Sequence, residues 1–284
     1  MRLVSFSRRG KEGFGAVVGE GVVDLHTRLG GRYADLKAAL TAGGLGELRP
    51  LAERQQPDFP LSEIEYRLPV TAPDKILCVG RNYRAYHEVQ EMDQDGPKWP
   101  SIFARFANSF VAHKAPIIKP TEGEQLDYEG ELAVIIGKRG RHIEPADALS
   151  YVAGYSCLNE GSLRDWSGRG TQNCPAKNFY HSGSFGPWLV TAEEVPDPAR
   201  LNITTRLSGE VRQNGGTDLM IFDIPYVISH ISKFTWLEAG DVIATGSPGG
   251  SAIEMDPPRW MTEGDRLEVE ISSIGTLANP VVAE

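Results

Sequence analysis

Leu126-Asp127-Tyr128-Glu129-Gly130-Glu131-Leu132-Ala133-Val134-Ile135-Ile136-Gly137 is the stretch on which the fold turns. Its apolar run is short, β-branched and closed by glycine, the pattern of a strand buried on both faces. Residues two apart in a strand share a face, so Glu129 and Glu131 point the same way, onto the face that continues with Ala133 and Ile135. A third carboxylate, Glu160, follows the apolar stretch from Tyr151 to Asn159. Removing ionised carboxylates from water costs several kcal/mol each unless positive charge compensates them. No Lys or Arg lies between Glu122 and Gly137, so the expectation is a divalent cation. The competing reading is an edge strand with a solvated Glu-x-Glu face. Three oxygen donors without a Cys or His pattern suit a hard ion, Mg²⁺ or Mn²⁺, or Ca²⁺, rather than zinc.

The chain has 284 residues, 40% hydrophobic and 24% charged, enough for a large core of ordinary globular type. The net charge of -9 argues against a nucleic-acid surface, and Lys138-Arg139-Gly140-Arg141 reads as a turn between strands. Met1 to Phe6 lead directly into a strand-like pattern, and nowhere do about 18 apolar residues run together, so no membrane span and a cytoplasmic location are expected. Cys78, Cys157 and Cys174 lack Cys-x-x-Cys spacing and read as reduced thiols.

Residues 1-68 read as a small N-terminal domain: strands near Leu3-Phe6, Gly15-Val18 and Val22-Leu25, a helix near Tyr33-Ala42, then a connector from Gln55 to Pro60. Residues 69-284 read as a larger domain with strands at Ile76-Val79, Ile117-Lys119, Glu131-Ile136, Val152-Cys157 and Trp188-Thr191. Leu201, Ile203, Thr205 and Leu207 alternate with polar partners before a hairpin turn at Ser208-Gly209, and Leu267, Val269 and Ile271 repeat the alternation. Ile224, Val227, Ile228 and Ile231 fall at helical spacing behind Asp223 as N-cap and Pro225 in the first turn. The fold class is mainly β with flanking helices, α+β, and no βαβ alternation or dinucleotide fingerprint is present.

The segments Lys75-Ile-Leu-Cys-Val-Gly-Arg-Asn82-Tyr83, Leu126 to Gly137, Gly154 to Asp165, Lys177 to Phe179, Gly186-Pro-Trp188 and Gly240 to Gly249 resemble, in order, blocks of the fumarylacetoacetate hydrolase (FAH) family. The resemblance covers nearly the whole chain and is strongest from Lys75 to Val281. It implies a twisted β-roll catalytic domain behind a small N-terminal α+β domain, and a homodimer. It maps the family's metal carboxylates onto Glu129, Glu131 and Glu160, although the third is usually Asp in an Asn-Asp pair and here is Asn159-Glu160. Family hydrolases carry Asn-Tyr-x-x-His-x-x-Glu, whose His and Glu activate water. Here Tyr86 holds the His position and His87 follows it. On a helix His87 and Glu91 would share a face, with Glu88 about 100 degrees round.

The activity that the resemblance implies is metal-dependent hydrolysis of a C-C bond in a 2,4-dioxo acid of the acylpyruvate type. His87, oriented by Glu91, would activate water, and the metal would stabilise a pyruvate-type enolate. Lys177 is expected to favour the enolate or the carboxylate of the anionic 2-oxo acid substrate, with Arg105 as a further cation and Gln172 and Thr245 as polar contacts. The same enolate chemistry leaves decarboxylase, dehydratase and isomerase readings open, beside a metal-binding protein without turnover. Tyr83 to Pro97, rich in acidic residues, is expected to form a mobile lid carrying the dyad.

Overall fold

The computed structural model describes residues 1–53, 55–84 and 97–284. Strands dominate. The longest sheet runs, in spatial order, through Phe59–Pro60, Gly21–Val23, Lys11–Val18, Arg2–Arg8, Gly183–Thr191, Val152–Asn159, Gly130–Ile136, Val242–Ala244, Ile76–Gly80 and Ser101–Arg105. A second sheet orders Glu210–Gly216, Asn202–Leu207, Arg266–Ile271, Gly275–Ala283 and Ile117–Lys119.

The Gly130–Ile136 strand is buried along its whole length because both of its faces are covered. Leu132, Val134 and Ile136 pack with Ile203, Val269, Ile271 and Leu277 of the second sheet and with Val227, Ile228 and Ile231 of the helix Ile224–Phe234. Ala133 and Ile135 face the other way, into a cluster with Leu3, Phe14, Leu36 and Leu40. Central pairing with Val152–Asn159 on one side and Val242–Ala244 on the other satisfies its backbone, so an edge strand is excluded. Asp223 caps the helix as its spacing requires, accepting from Tyr226 N–H at 2.8 Å.

Three elements differ from the sequence reading. Leu25 is not the end of a strand: Asp24 caps a helical turn, Leu25–Arg28, through Thr27 N–H. The helix Leu45–Ala52 forms despite Pro50, with Leu48 and Ala52 buried. Gly275–Ala283 is a strand despite Pro280, which pairs opposite Arg266. The strand Ile117–Lys119 joins only from Val281 onward, so the absent Pro280 N–H interrupts no ladder on that side. Hydrogen bonding also runs across the expected boundary near residue 68, since Arg2 and Leu3 pair with Val190 and Leu189. Among the described residues no helix is long and apolar enough to cross a membrane.

Candidate active site

Glu131 lies at the start of the central strand and is 2% exposed. Its Oε2 accepts the Gly246 N–H at 2.8 Å, and no cation pairs with it among the described residues. Burial, then the charges of Glu160 and Glu129, hold its carboxyl well above the usual range. The donor loop approaches this closely because residue 246 is glycine with φ +94°. A Cβ there would sit 2.9 Å from the Val79 carbonyl oxygen and from Asn82 Cβ. Gln213 holds the loop to the strand, accepting from Gly130 N–H at 2.9 Å and donating to the Pro248 carbonyl at 2.7 Å.

Glu129 precedes the strand, and its charge is fully answered. Oε1 is 2.8 Å from an Arg164 terminal nitrogen, while Oε2 accepts from Lys177 Nζ and Ser162 Oγ, both at 2.6 Å. Burial alone would raise its pKa, but Arg164, Lys177 and Ser162 together hold it far below the carboxylate range. Glu160, at the end of Val152–Asn159, donates its N–H to the Glu129 carbonyl at 2.8 Å. Its Oε2 meets the same Lys177 Nζ at 3.0 Å, and its Oε1 is buried without a hydrogen-bond partner among the described residues. Lys177 ends the short helix Cys174–Lys177 and is 8% exposed. Burial pulls its pKa down, but Glu129 and Glu160 outweigh this, so the ammonium stays charged.

The charge balance therefore differs from the sequence expectation. The compensating cations are remote in the chain and close in space, and Lys177 bonds Glu129 across 48 residues. Arg164 joins the site without having been marked by a motif, as does its partner Asp127, which is fully buried and accepts from Arg164 Nε at 2.8 Å and Ala252 N–H at 2.7 Å. The only sequence signals were their places beside Glu129 and Glu160 in the quoted segments.

The structure brings Glu129, Glu160 and Lys177 into direct contact, with Glu131 in their field. As the side chains stand, no three His, Cys, Asp or Glu residues among those described are gathered as ligands of one ion. In chemistry, the donor set still fits a hard cation. Glu160 Oε1 lacks a partner, Glu131 lacks a cation, and the Gly246 N–H, Ser162 and Lys177 orient the remaining oxygens. Glu129 has both oxygens engaged, and it could join such a set where Lys177 releases it.

The other expected site residues have different surroundings. Thr245 is 1% exposed and donates Oγ1–H to the Leu132 carbonyl. Gln172 is exposed, two residues ahead of the Cys174–Lys177 helix. Arg105 is buried, with its guanidinium on protein acceptors rather than free for a substrate. His87, Glu88 and Glu91 lie outside the described residues, as does most of the expected lid. Its first residue, Tyr83, is a fully buried core residue bridged to Met220, so the lid reading does not hold there.

A mostly β roll that buries three glutamates and a lysine in one cluster, with the half-buried Arg164 paired to it, is organised for a charged ligand rather than an apolar one. Residues 75–282 match the model of the fumarylacetoacetate (FAA) hydrolase C-terminal domain, and the chain belongs to the fumarylacetoacetate hydrolase family of enzymes. It is 37% identical over 289 aligned residues to the mitochondrial oxaloacetate tautomerase Fahd2a of Rattus norvegicus, covering 99% of this chain and 92% of that one. Among solved structures it resembles the fumarylacetoacetate hydrolase of Exiguobacterium antarcticum, with a TM-score of 0.85, 33% identity and full coverage of both chains. It also resembles the maleylpyruvate hydrolase of Sphingobium sp. SYK-6 in complex with manganese(II) and pyruvate, with a TM-score of 0.80, 28% identity, and 100% and 99% coverage.

Proposed function

We propose that this protein is a divalent-metal-dependent tautomerase of oxaloacetate or a closely related 2-oxo dicarboxylate. The likeness to the rat oxaloacetate tautomerase over 99% of the chain carries the reading, and the buried carboxylate–lysine cluster supplies a chemistry for it. This reading puts the isomerase alternative left open by the sequence ahead of C-C hydrolysis, with the same enolate chemistry.

Converting an enol to its ketone removes the proton from the enol oxygen and adds one to the carbon next to the new carbonyl carbon, so no proton is gained or lost overall and the protein ends unchanged. Glu129, Glu131 and Glu160 would hold Mg²⁺ or Mn²⁺, which supplies Lewis-acid stabilisation of the enolate when bound. Lys177, kept charged by its two glutamates, neutralises negative charge at a substrate carboxylate or at the oxygen that gives up its proton. Burial sharpens this effect, because at 8% exposure little water screens the ammonium. Thr245 and Gln172 remain proposed polar contacts. The site belongs to residues 69-284, with 1-68 as a supporting domain, and the unit is a cytoplasmic homodimer, which sedimentation and cell fractionation check.

Hydrolysis of an acylpyruvate is the second reading, favoured by the likeness to the maleylpyruvate hydrolase and dependent on His87 and Glu91. A substrate panel separates the two. The tautomerase reading expects accelerated ultraviolet decay of enol-oxaloacetate with Mn²⁺ and no pyruvate release from acylpyruvates. Pyruvate release, abolished in His87→Ala, with no effect on the oxaloacetate enol would support hydrolysis instead.

A further inference from the structure

Arg105 closes the strand Ser101–Arg105 and is 3% exposed, its guanidinium carbon 4.3 Å from the Phe110 ring centroid. Three of its nitrogens meet three separate segments. Nε donates to Ser109 Oγ at 3.2 Å, one terminal nitrogen to the Gly161 carbonyl at 3.0 Å, and the other to Ser182 Oγ at 3.2 Å. Neither serine is free to turn away. Ser109 Oγ–H donates to the Phe106 carbonyl at 2.8 Å and Ser182 Oγ–H to the Phe179 carbonyl at 2.9 Å, so their lone pairs are left for Arg105.

The places of these acceptors matter. Gly161 immediately follows Glu160, and Ser182 lies in the turn between the helix that carries Lys177 and the strand Gly183–Thr191. The two segments touch backbone to backbone, since a Cβ at Gly161 would fall 1.8 Å from the Ser182 carbonyl oxygen. Burial depresses the Arg105 pKa, and among the charges the Glu160 carboxylate opposes this most strongly. We infer that Arg105 is a positioning residue, a buried three-way clamp that fixes the Glu160 segment against the Lys177 segment and so sets the Glu160–Lys177 pair, rather than a ligand for substrate.

The inference rests on the metal-dependent reading for its consequence in the site, so its test joins a readout of the backbone to one of the ion. Arg105→Lys keeps the charge but cannot span three acceptors, and Ser182→Ala removes one acceptor only. Amide hydrogen exchange at 158–163 and 179–184 is expected to accelerate about tenfold or more in Arg105→Lys, and less in Ser182→Ala, whether or not metal is present. By calorimetry the Mn²⁺ dissociation constant rises about tenfold or more, while KM for oxaloacetate at saturating Mn²⁺ stays within about twofold. Wild-type exchange in both segments overturns the clamp. Unchanged Mn²⁺ affinity with a KM raised about tenfold overturns it also, and makes Arg105 a substrate ligand. If the wild-type protein takes up no Mn²⁺, the metal reading falls, and the exchange pattern alone decides for or against Arg105. Should Arg105→Lys not fold, Ser182→Ala carries the same two readouts with the same contrary outcomes.

Discussion

At the residue scale, the site is a negotiation between buried like charges. Among the described residues Glu131 has no cation of its own, whereas Glu129 and Glu160 share Lys177. Lys177→Met leaves those two carboxylates buried without their common partner, and removing one member of a buried ion pair costs about 3 kcal/mol or more. Denaturant unfolding is expected to show that loss, with kcat/KM for oxaloacetate reduced at least about a hundredfold and Mn²⁺ uptake retained. Unchanged kcat/KM would place Lys177 outside the chemistry. The carboxylates themselves were legible in Glu-x-Glu before an apolar run. Their compensation was not, because Lys177 and Arg164 reach Glu129 only once the chain has folded back on itself.

At the element scale, the central strand and the Gly246 loop form one unit held by Gln213 and by the Gly246 N–H on Glu131. Gly246→Ala forces a Cβ against the Val79 carbonyl at a positive φ, a backbone conformation costly to L residues. It is expected to destabilise the protein by about 1–3 kcal/mol and to weaken Mn²⁺ binding, which thermal melts and calorimetry check together. Elements with clear periodicity were legible: the alternation of Asn202–Leu207 and Arg266–Ile271, and the capped helix Ile224–Phe234. Leu45–Ala52 and Gly275–Ala283 were not, because Pro50 and Pro280 argue locally against elements that tertiary burial of Leu48 and Leu277 nonetheless holds.

At the scale of the whole molecule, His113 reports on how the roll and the N-terminal strands are joined. Its ring packs edge-on to Tyr66 with centroids 4.6 Å apart, and its Nδ1 accepts the Ala278 N–H at 3.0 Å. Burial, then the positive charges of Lys114 and Arg266, push its pKa down to about 4. An unfolded histidine titrates near 6.5, so the unfolded state binds the extra proton first as pH falls. Stability from this group is complete above about pH 6.5 and falls by about 3 kcal/mol as pH drops to about 4. Denaturant midpoints across that window should show the decline in wild type and a flatter profile in His113→Gln. Identical slopes would remove His113 as the cause. Continuity of the first strand with the Gly183–Thr191 strand was beyond the sequence, since strands almost two hundred residues apart carry no local sign of their pairing.

The central claim is that the buried glutamate cluster makes this family member a metal-dependent oxaloacetate tautomerase. Its most direct test is the rate of ketonisation of freshly dissolved enol-oxaloacetate, followed by ultraviolet absorbance, for wild type and Glu131→Gln, each with Mn²⁺ and with EDTA. The account predicts rapid enzymatic ketonisation only for wild type with Mn²⁺, and the uncatalysed rate in the other three samples although Glu131→Gln keeps its fold by circular dichroism. Catalysis by Glu131→Gln equal to wild type, or wild-type catalysis untouched by EDTA, would contradict it.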